Sequence, residues 1–288
     1  KPAQNAPHLT KIKLRFQVGD DAQPGVRDFR VLTPRGVSTL GQVVVVRDPV
    51  VLEAGKTNDA PAGAQDVPWP ATICGVIEKA EDVDYYKFRV DAGTALNFHV
   101  RSMRLQDKIH DLQAHSDPLL AIRNSGGTTL ATSDNVFAGD PFLTHRFDRA
   151  GEYYLEIRDV RYQGNRYWTY GVEIHSRPFV ANAHPMGLAI GQETEVALVG
   201  SLLPEDARAR ANVPANAKPG PTDVPLPLGD GLTNPVPVVL TELPAVVEGT
   251  AANNAPETAQ AITVPAGISG RIESSADVAK AVRDIATG

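Results

Sequence analysis

Cysteine is almost absent from this sequence, since Cys74 is the single example among 288 residues. One thiol cannot form an intrachain disulfide or a cysteine-rich zinc site, and it is compatible with oxidising and reducing compartments. An apolar run of 18 residues is also lacking, so no transmembrane helix is predicted. The amino terminus lacks the charged-then-apolar layout of a secretion signal. We therefore expect either a chain that starts within a longer protein or one without such a signal.

Positive charge is not in excess. The formal net charge is −6, and the acidic residues are spread along the chain rather than gathered in a tail. A surface of this kind produces no strong field that would attract nucleic acid or anionic lipid. The composition therefore excludes nucleic-acid binding and membrane insertion from the expected functions.

Long segments with a helical period are scarce, whereas 24 glycines and 23 prolines are scattered evenly. Short alternating segments separated by turn residues are typical of an all-β protein. The length allows two or three domains, each with its own core.

An internal repeat organises the chain. A shift of 195 residues, without gaps, aligns Pro24-Gly25 with Pro219-Gly220 and continues over about sixty residues, where it aligns many further glycine, proline and asparagine positions. The register extends to Asp82 and Asp277. The sequence therefore predicts a tandem array, of which this chain contains slightly more than one period.

The strand and turn pattern predicts four parts. Five or more alternating strands in about a hundred residues, with no helix between them, favour an antiparallel β-sandwich for the largest part. The predicted parts are a partial small β module at 1–50, the β-sandwich at 51–176, a second small β module at 177–247, and a linker with the incomplete start of a second sandwich at 248–288.

Several motifs of the largest part resemble one known family. They are "GVIEKAEDVDYYKFRVDAGTALNFHV", "SDPLLAIRNSGGTTLATSDN", "GDPFLTHRFDRAGEYYLEIRDVRYQGN" and "TYGVEI". Together they resemble the bacterial pre-peptidase C-terminal domain, a jelly-roll-like β-sandwich of secreted proteins, over residues 53–176. The resemblance implies export to the cell surface or the extracellular space, and a domain that is not itself an enzyme.

The flanking modules contain "DAQPGVRDFRVLTPRGVS" and "HPMGLAIGQETEVALVGSLL". They resemble the immunoglobulin-like (IPT/TIG-type) modules that alternate with such domains in large bacterial surface proteins. The expected architecture is thus a jelly-roll-like β-sandwich with small immunoglobulin-like β modules on either side.

Asp82 and Asp84 precede the aromatic alternation of the segment "YYKFRV". Residues two apart share one face of a strand, so both carboxylates are expected on the inward face at the strand's start. Backbone N–H groups of the preceding turn could satisfy them there, or a Ca²⁺ ion could. They are not expected to be a catalytic pair, since neighbours on one strand cannot flank a scissile bond.

The resemblance also suggests further calcium ligands. A related module, the collagen-binding domain of clostridial collagenases, holds calcium through its amino-terminal linker, whose acidic and Asn-Asp positions resemble Glu53, Asn58 and Asp59. The predicted metal ligands are Glu53, Asn58, Asp59, Asp82 and Asp84. The second copy has Asn254 and Ala279 in place of Asp59 and Asp84, so calcium is expected in the first copy alone.

Aromatic residues concentrate on the last hairpin, "YYLEIRDVRYQGNRYWTY". Exposed tyrosine and tryptophan often mark surfaces that bind protein or sugar, and interleaved arginines could stack on them. The predicted ligand-binding residues are Tyr153, Tyr162, Tyr167 and Trp168. The alternative is that these rings belong to the core.

Histidine and cysteine were also considered as candidates for chemistry. His110 and His115 lack the spacing of a closed zinc site, and an exposed loop is expected there. His99 alternates with Phe98 and is expected to face solvent. Cys74, at a strand start, is expected to be a small buried thiol rather than a nucleophile.

The sequence leaves three functions open. The first is a non-enzymatic extracellular module that acts as a spacer and as an adhesive surface for protein or polysaccharide, with Ca²⁺ as a stabilising ion. The second is an accessory region of a secreted hydrolase, such as a peptidase, that helps export or substrate attachment. The third is a purely structural stalk.

Overall fold

The computed structural model describes residues 12–55, 58–106, 114–249, 251, 253 and 255–272. This part of the chain is nearly all β, which confirms the predicted fold class. Its helices are α1 (Met103–Gln106) and two short 3-10 helices (Pro61–Gly63 and Pro256–Thr258). No helix within the described ranges is long and apolar enough to span a bilayer.

The first strands form a small amino-terminal module. They are β1 (Gly25–Phe29), β2 (Leu32–Thr33), β3 (Gly36–Val37) and β4 (Gly41–Val45). Strand β1 pairs antiparallel with β4, and β2 pairs with β3 at the end of the hairpin.

Two five-stranded sheets follow and pack face to face as a β-sandwich. Their strands are β5 (Val50–Leu52), β6 (Gln65–Asp66), β7 (Ala71–Val76), β8 (Val83–Val90), β9 (Ala95–Arg101), β10 (Pro118–Asn124), β11 (Thr129–Ser133), β12 (Phe142–Arg146), β13 (Gly151–Asp159) and β14 (Thr169–His175). One sheet has the order β11-β10-β13-β8-β6, and the other has the order β12-β9-β14-β7-β5.

The sandwich core follows from the alternation of its strands. In β8, Asp84, Tyr86, Phe88 and Val90 are buried, as residues two apart on one face should be. The ring of Phe88 packs against Phe98 of the opposite sheet with 5.7 Å between centroids. Apolar residues that meet between the sheets thus supply the burial that holds the sandwich together.

A second small module follows the sandwich and has its own core. Its strands are β15 (Phe179–His184), β16 (Gly187–Ala189), β17 (Glu193–Ser201), β18 (Arg208–Asn212), β19 (Gly220–Leu228) and β20 (Gly231–Thr241). They form the three-stranded sheets β15-β17-β18 and β16-β20-β19. The described part of the chain ends with β21 (Ala245–Val247), which pairs in parallel with β22 (Gly267–Ser269).

Several segments that lie 195 positions apart take the same local structure. Strands β1 and β4 pair with Gly25 opposite Val45, and β19 and β20 pair with Gly220 opposite Leu240. Strand β5 pairs in parallel with β7, and β21 pairs in parallel with β22 in the equivalent register. The two 3-10 helices also begin at equivalent prolines. The carboxyl-terminal segments from 273 onwards lie outside the described residues.

One side-chain hydrogen bond repeats as well. Glu53 Oε2 accepts a hydrogen bond from the N–H of Val76 at 3.0 Å, and Glu248 Oε2 accepts one from the N–H of Arg271 at 2.6 Å. The two copies therefore share these strand pairings and this hydrogen bond, whereas the strands β6 and β18 have no strand at the equivalent described positions 260–261 and 13–17.

His99 does not face solvent, contrary to the sequence-based expectation. The residue is 2 % exposed because Phe179 of the second module packs over its ring, with 5.0 Å between centroids. Phe137 and Phe142 complete the aromatic cluster around the ring. The outer face of β9 is thus an interface between the sandwich and the second module.

Arg104 fixes the protonation state of this histidine. Its Nη2 lies 2.8 Å from His99 Nε2, and a guanidinium can only donate. Nε2 therefore accepts, and the ring proton sits on Nδ1, which faces Glu173 Oε1 at 3.7 Å. Burial, together with the charges of Arg101, Arg104 and His175, lowers the pKa of His99 well below its usual value.

We expect this histidine to make folding stability depend on pH. Since its pKa is lower in the folded state, the unfolded chain binds a proton more readily, and stability is lost as the pH falls through about 6.5. Replacing His99→Gln keeps an acceptor for Arg104 and removes the titration. Between pH 7 and 5 the slope of the unfolding free energy should become shallower by up to about 1.4 kcal/mol per pH unit.

Denaturant unfolding at several pH values measures this slope. His115→Gln, outside the aromatic cluster, serves as the control. A slope that is unchanged in His99→Gln would contradict the assignment of His99 as a buried neutral base.

Candidate functional site

The sequence-predicted acidic residues meet at the start of β8. One carboxylate oxygen each from Asp59, Asp82 and Asp84 lies within 4.8 Å of the others. Asp82 and Asp84 are buried, and Asp59 is exposed at the rim. We call this set, with Glu53 and Asn58, the acidic cluster.

Asp84 lies deepest in the cluster and is held by neutral donors. Asn58 Nδ2 donates to Asp84 Oδ1 at 3.0 Å, and the hydroxyl of Tyr170 donates to Oδ2 at 2.6 Å. Tyr86 completes the chain, with 2.6 Å between its hydroxyl oxygen and that of Tyr170. Because Tyr170 uses its proton on Asp84, Tyr86 donates to Tyr170.

The acidic cluster is an unfavourable place for more than one ionised carboxylate. Burial raises the pKa of Asp84 to about 8; the hydrogen bond from Tyr170 opposes this shift, and the charges of Glu53 and Asp82 add to it. Burial likewise raises the pKa of Asp82 and of Glu53. Carboxylates this close together need a cation or protons to balance them.

Asp82 has two protein partners. Its Oδ2 accepts a hydrogen bond from the N–H of Glu78 at 2.6 Å, which is the turn interaction considered from the sequence. Lys79 Nζ lies 4.0 Å from Asp82 Oδ1 and 3.2 Å from Asp59 Oδ2. The Lys79 side chain is half exposed. Its positive charge can therefore offset the negative charge at the exposed edge of the cluster without entering the buried part.

Asn58 carries an unsatisfied group. The side chain is 2 % exposed, and its Oδ1 has no hydrogen-bond partner among the described residues. A buried carbonyl oxygen without a partner costs roughly 1–3 kcal/mol. An added cation would give this oxygen a partner.

The donor set suits Ca²⁺. Carboxylate and amide oxygens, partly exposed at the rim, are the ligands that a hard cation of this size prefers. The residues that would hold the ion are Glu53, Asn58, Asp59, Asp82 and Asp84. The arrangement does not suit a glycosidase-type pair, because Asp84 lies at the start of β8, Asp82 lies in the turn just before it, and both carboxylates hydrogen-bond to the protein.

The turn that bears Asp82 is joined to the loop between β13 and β14. The N–H of Glu81 donates to Tyr162 O at 2.9 Å, and the N–H of Asn165 donates to Ile77 O at 2.8 Å. A Cβ on Gly164 would lie 2.0 Å from Lys79 O, so these two segments approach too closely for any side chain there. The acidic cluster and loop 160–168 therefore form one contiguous region.

Two of the four predicted aromatic residues are exposed on this loop. Tyr162 is 47 % exposed and Tyr167 is 59 % exposed. The guanidinium carbon of Arg158 lies 4.1 Å from the ring centroid of Tyr162, and that of Arg166 lies 4.8 Å from the ring centroid of Tyr167. We call these four residues the tyrosine–arginine surface.

The other two predicted aromatic residues are buried and cannot contact a ligand at the surface. Tyr153 packs on Phe147 in the core, with 4.5 Å between centroids. Trp168 is also buried, and its indole N–H donates to Ala114 O at 3.0 Å. Tyr153 and Trp168 therefore agree with the alternative prediction, in which aromatic residues of the hairpin are part of the core.

The remaining candidates form no site. His115 belongs to no group of three metal-ligating side chains among the described residues, and His110 lies outside them. Cys74 lies within β7, partly exposed, and burial raises the pKa of its thiol. A raised pKa opposes formation of the nucleophilic thiolate.

Sequence reasoning missed the tyrosine chain and the glycine beside it. Tyr86 shares the inward face with Asp84, so its hydroxyl could have been expected near that carboxylate. Gly75 gave a weaker signal, as a glycine within a strand often marks a close approach. A Cβ on Gly75 would lie 2.3 Å from the Tyr170 hydroxyl and 2.8 Å from Glu53 Oε2.

Comparison with known proteins gives likenesses of fold alone. No protein-family model matches the sequence, and a search of curated proteins finds no match. A solved pre-peptidase C-terminal domain of a collagenase from Bacillus anthracis is similar at 15 % identity and a TM-score of 0.30, covering 38 % of this chain and 93 % of that one. PliG of Aeromonas hydrophila, a periplasmic inhibitor of g-type lysozyme, is similar at 14 % identity and a TM-score of 0.27, covering 45 % of this chain and all of that one.

We expect Gly75→Ala to destabilise the sandwich. The added methyl group would displace Tyr170 or Glu53 and break the hydrogen bonds around Asp84, at a cost of about 1–3 kcal/mol. Gly171→Ala on the adjacent strand is the matched control, because its Cβ would meet nothing closer than Ile73 O at 3.9 Å. Urea unfolding of both variants measures the difference, and equal stabilities would argue against a strained approach at Gly75.

Proposed function

We propose that this chain is a non-catalytic extracellular module that binds a protein or a polysaccharide through the tyrosine–arginine surface and is stabilised by Ca²⁺ at the acidic cluster. The observation that carries the proposal is the direct connection between the two, through backbone hydrogen bonds between Glu81 and Tyr162 and between Ile77 and Asn165. The extracellular location and the role as a spacer in a surface array rest on the resemblance of the sequence motifs. The flanking modules, as immunoglobulin-like spacers, belong to the same proposal.

Calcium binding is supported by charge and by geometry. Three carboxylates converge from the linker and from the start of β8, and the Oδ1 of Asn58, whose Nδ2 donates to Asp84, has no partner in the described part of the chain. Burial is the main cause of the raised pKa of Asp84, and an ion there would offset the repulsion from Glu53 and Asp82 that adds to it. The ion would also join the linker to β8. Since the turn of Asp82 supports loop 160–168, the bound ion would also order the binding surface.

Recognition by the tyrosine–arginine surface is supported by exposure and by composition. Tyrosine and arginine are the residue types that most often dominate binding energy at interfaces. Each ring already lies under a guanidinium, which limits side-chain freedom before a ligand arrives. Such a surface suits a partner with apolar or ring faces and some acidic groups, as found in proteins and in uronic-acid polysaccharides.

The second candidate function is that of an accessory region in a secreted hydrolase, such as a peptidase, where the same surface would hold the substrate for a catalytic domain elsewhere. It is favoured by the same exposed tyrosines and by the resemblance to the pre-peptidase C-terminal family. The stalk hypothesis is less favoured, since a purely structural module does not require Tyr162 and Tyr167 at the surface.

We expect Ca²⁺ to raise the thermal unfolding midpoint. At a free concentration about 100-fold above Kd, binding adds about 2.7 kcal/mol to the unfolding free energy, which corresponds to a rise of roughly 5 °C. The double variant Asp82→Asn/Asp84→Asn should lose this rise. Differential scanning fluorimetry of the chelated and calcium-loaded protein measures it.

Asp66→Asn is the matched control, since this exposed carboxylate on the adjacent strand β6 pairs with Lys87 and lies outside the cluster. Its calcium response should equal that of the unmodified chain. An unchanged midpoint at millimolar calcium, or an equal rise in the double variant, would refute the metal site.

We expect Tyr162→Ser/Tyr167→Ser to weaken ligand binding by at least about tenfold, because loss of central aromatic contacts typically costs more than about 1.4 kcal/mol. Surface plasmon resonance against collagen-like peptides, glycans and cell-wall fragments identifies a binder and measures the change. Tyr154→Ser, a half-buried tyrosine on β13, is the control. Equal binding by both variants would remove the tyrosine–arginine surface from the function.

A further inference from the structure

The sheet with the order β11-β10-β13-β8-β6 has an outer face that, in the described part of the chain, no other module covers. Phe179 of the second module packs on His99 of the opposite sheet. Val44 of the amino-terminal module lines a cavity with Cys74, which belongs to the same opposite sheet. The two modules that adjoin the sandwich along the chain thus lie against one sheet, and the outer face of the other sheet is accessible to a ligand.

Charged and aromatic side chains occupy this outer face. Strand alternation, together with the pairing of β13 with β8 and β10, places them there. Those near its centre are Tyr85, Arg123, Tyr154, Glu156 and Arg158. A protein–protein interface usually has an apolar core from which charged residues are depleted. This face therefore suits a polar ligand such as a polysaccharide better than it suits a protein.

Glu156 lies at the centre of this face and is 3 % exposed. Its Oε2 accepts hydrogen bonds from Arg123 Nε and from the hydroxyl of Tyr85, the latter at 3.0 Å. Its Oε1 accepts one from Arg158 Nε at 3.1 Å. We call Tyr85, Arg123, Glu156 and Arg158 the Glu156 site.

The carboxylate of Glu156 is ionised at neutral pH. Burial by itself would raise the pKa of Glu156, but the hydrogen bonds from Arg123 and Tyr85 and the charge of Arg123 lower it below its usual value. Since both Nε groups bind the same carboxylate, the guanidinium groups of Arg123 and Arg158 are neighbours. Glu156 thus holds two cationic groups side by side on the outer face.

Each of these arginines keeps an unused donor. Arg123 Nη1 donates to Gly127 O at 3.2 Å, and Arg158 Nη1 donates to Asp159 O at 3.0 Å. The Nη2 group of either arginine has no hydrogen-bond partner within the described ranges. Two positive charges and one negative charge leave the site with one net positive charge, although the chain as a whole carries −6. Such a site suits the carboxylate of a ligand.

An exposed tyrosine ring adjoins these donors. The Arg158 guanidinium lies under the ring of Tyr162, with 4.1 Å between its carbon and the ring centroid. Tyr162 is 47 % exposed, so part of its ring can contact a ligand. Tyrosine rings offer an apolar face on which a sugar ring can lie. A sugar ring that bears a carboxylate is the repeating unit of a uronic-acid polysaccharide.

We propose that the Glu156 site and Tyr162 bind a sugar residue of a uronic-acid polysaccharide. The sugar carboxylate accepts hydrogen bonds from the Nη2 groups of Arg123 and Arg158, and the sugar ring lies against Tyr162. The inference rests on the proposed function, because it assigns a ligand class to part of the tyrosine–arginine surface. It also extends that surface from loop 160–168 onto the strands β8, β10 and β13.

The first test compares two ligands that differ in charge alone, a short oligogalacturonate and its methyl ester. Isothermal titration calorimetry with the full chain should show saturable binding of the acid. The ester should bind at least about tenfold more weakly, because it cannot form charge-assisted hydrogen bonds with the arginines. Binding of the acid should also weaken as the NaCl concentration rises. Dextran sulfate, a polyanion without carboxylates, is the control for general attraction of negative charge.

The outcomes distinguish this inference from the proposed function. Equal affinity for the acid and the ester would overturn the carboxylate site, and so would equal affinity for dextran sulfate. Binding of a neutral glycan or a collagen-like peptide, but not of oligogalacturonate, would also overturn it and would leave the proposed binding surface in place. Absence of any binder among all these ligands would refute both.

Variants of Arg123 locate the site. Arg123→Lys keeps the positive charge beside Glu156 but lacks the second donor nitrogen, so oligogalacturonate should bind several-fold more weakly while the fold is retained. Arg123→Gln also removes the charge and should weaken binding by at least about tenfold. Arg208→Gln is the matched control, because Arg208 is an exposed arginine of the second module that pairs with Glu195. Affinity in Arg123→Lys and Arg123→Gln equal to that of the control would overturn the proposal.

Discussion

The hydrogen-bonded chain from Tyr86 through Tyr170 to Asp84 is the interaction on which the rest of the sandwich depends. Tyr86 and Asp84 lie on one sheet and Tyr170 on the other, so the chain crosses the core. A buried carboxylate is tolerated only when its oxygens have partners. That requirement fixes Asn58 in the linker, keeps position 75 free of a side chain, and brings Glu53 alongside.

The same constraint links structure to function. Supplying donors to Asp84 draws the linker against the start of β8, and this collects the oxygens of the acidic cluster. The turn before β8 then supports loop 160–168, where Tyr162 and Tyr167 are exposed. A feature of core stability thus positions both the proposed cation site and the proposed binding surface, although neither is part of the core.

The two copies illustrate how one sequence pattern gives two environments. Strands β4 and β20 have equivalent antiparallel partners, but β16 adds to β20 alone among the described strands. The pairing of β5 with β7 and that of β21 with β22 are equivalent. Local strand pairing is therefore the same at these positions, 195 residues apart.

The sequence by itself determined the all-β class and the inward face of β8, because strand alternation is a local property. The placement of Asp59 beside Asp82 and Asp84 was expected only from the resemblance of the linker to a calcium-binding one. Only the tertiary structure decided that Trp168 is buried while its neighbour Tyr167 is exposed, and that Phe179 covers His99. These outcomes depend on which distant segment packs over a residue. Alternation assigns a side chain to a face of a sheet, but it does not say whether a second module covers that face.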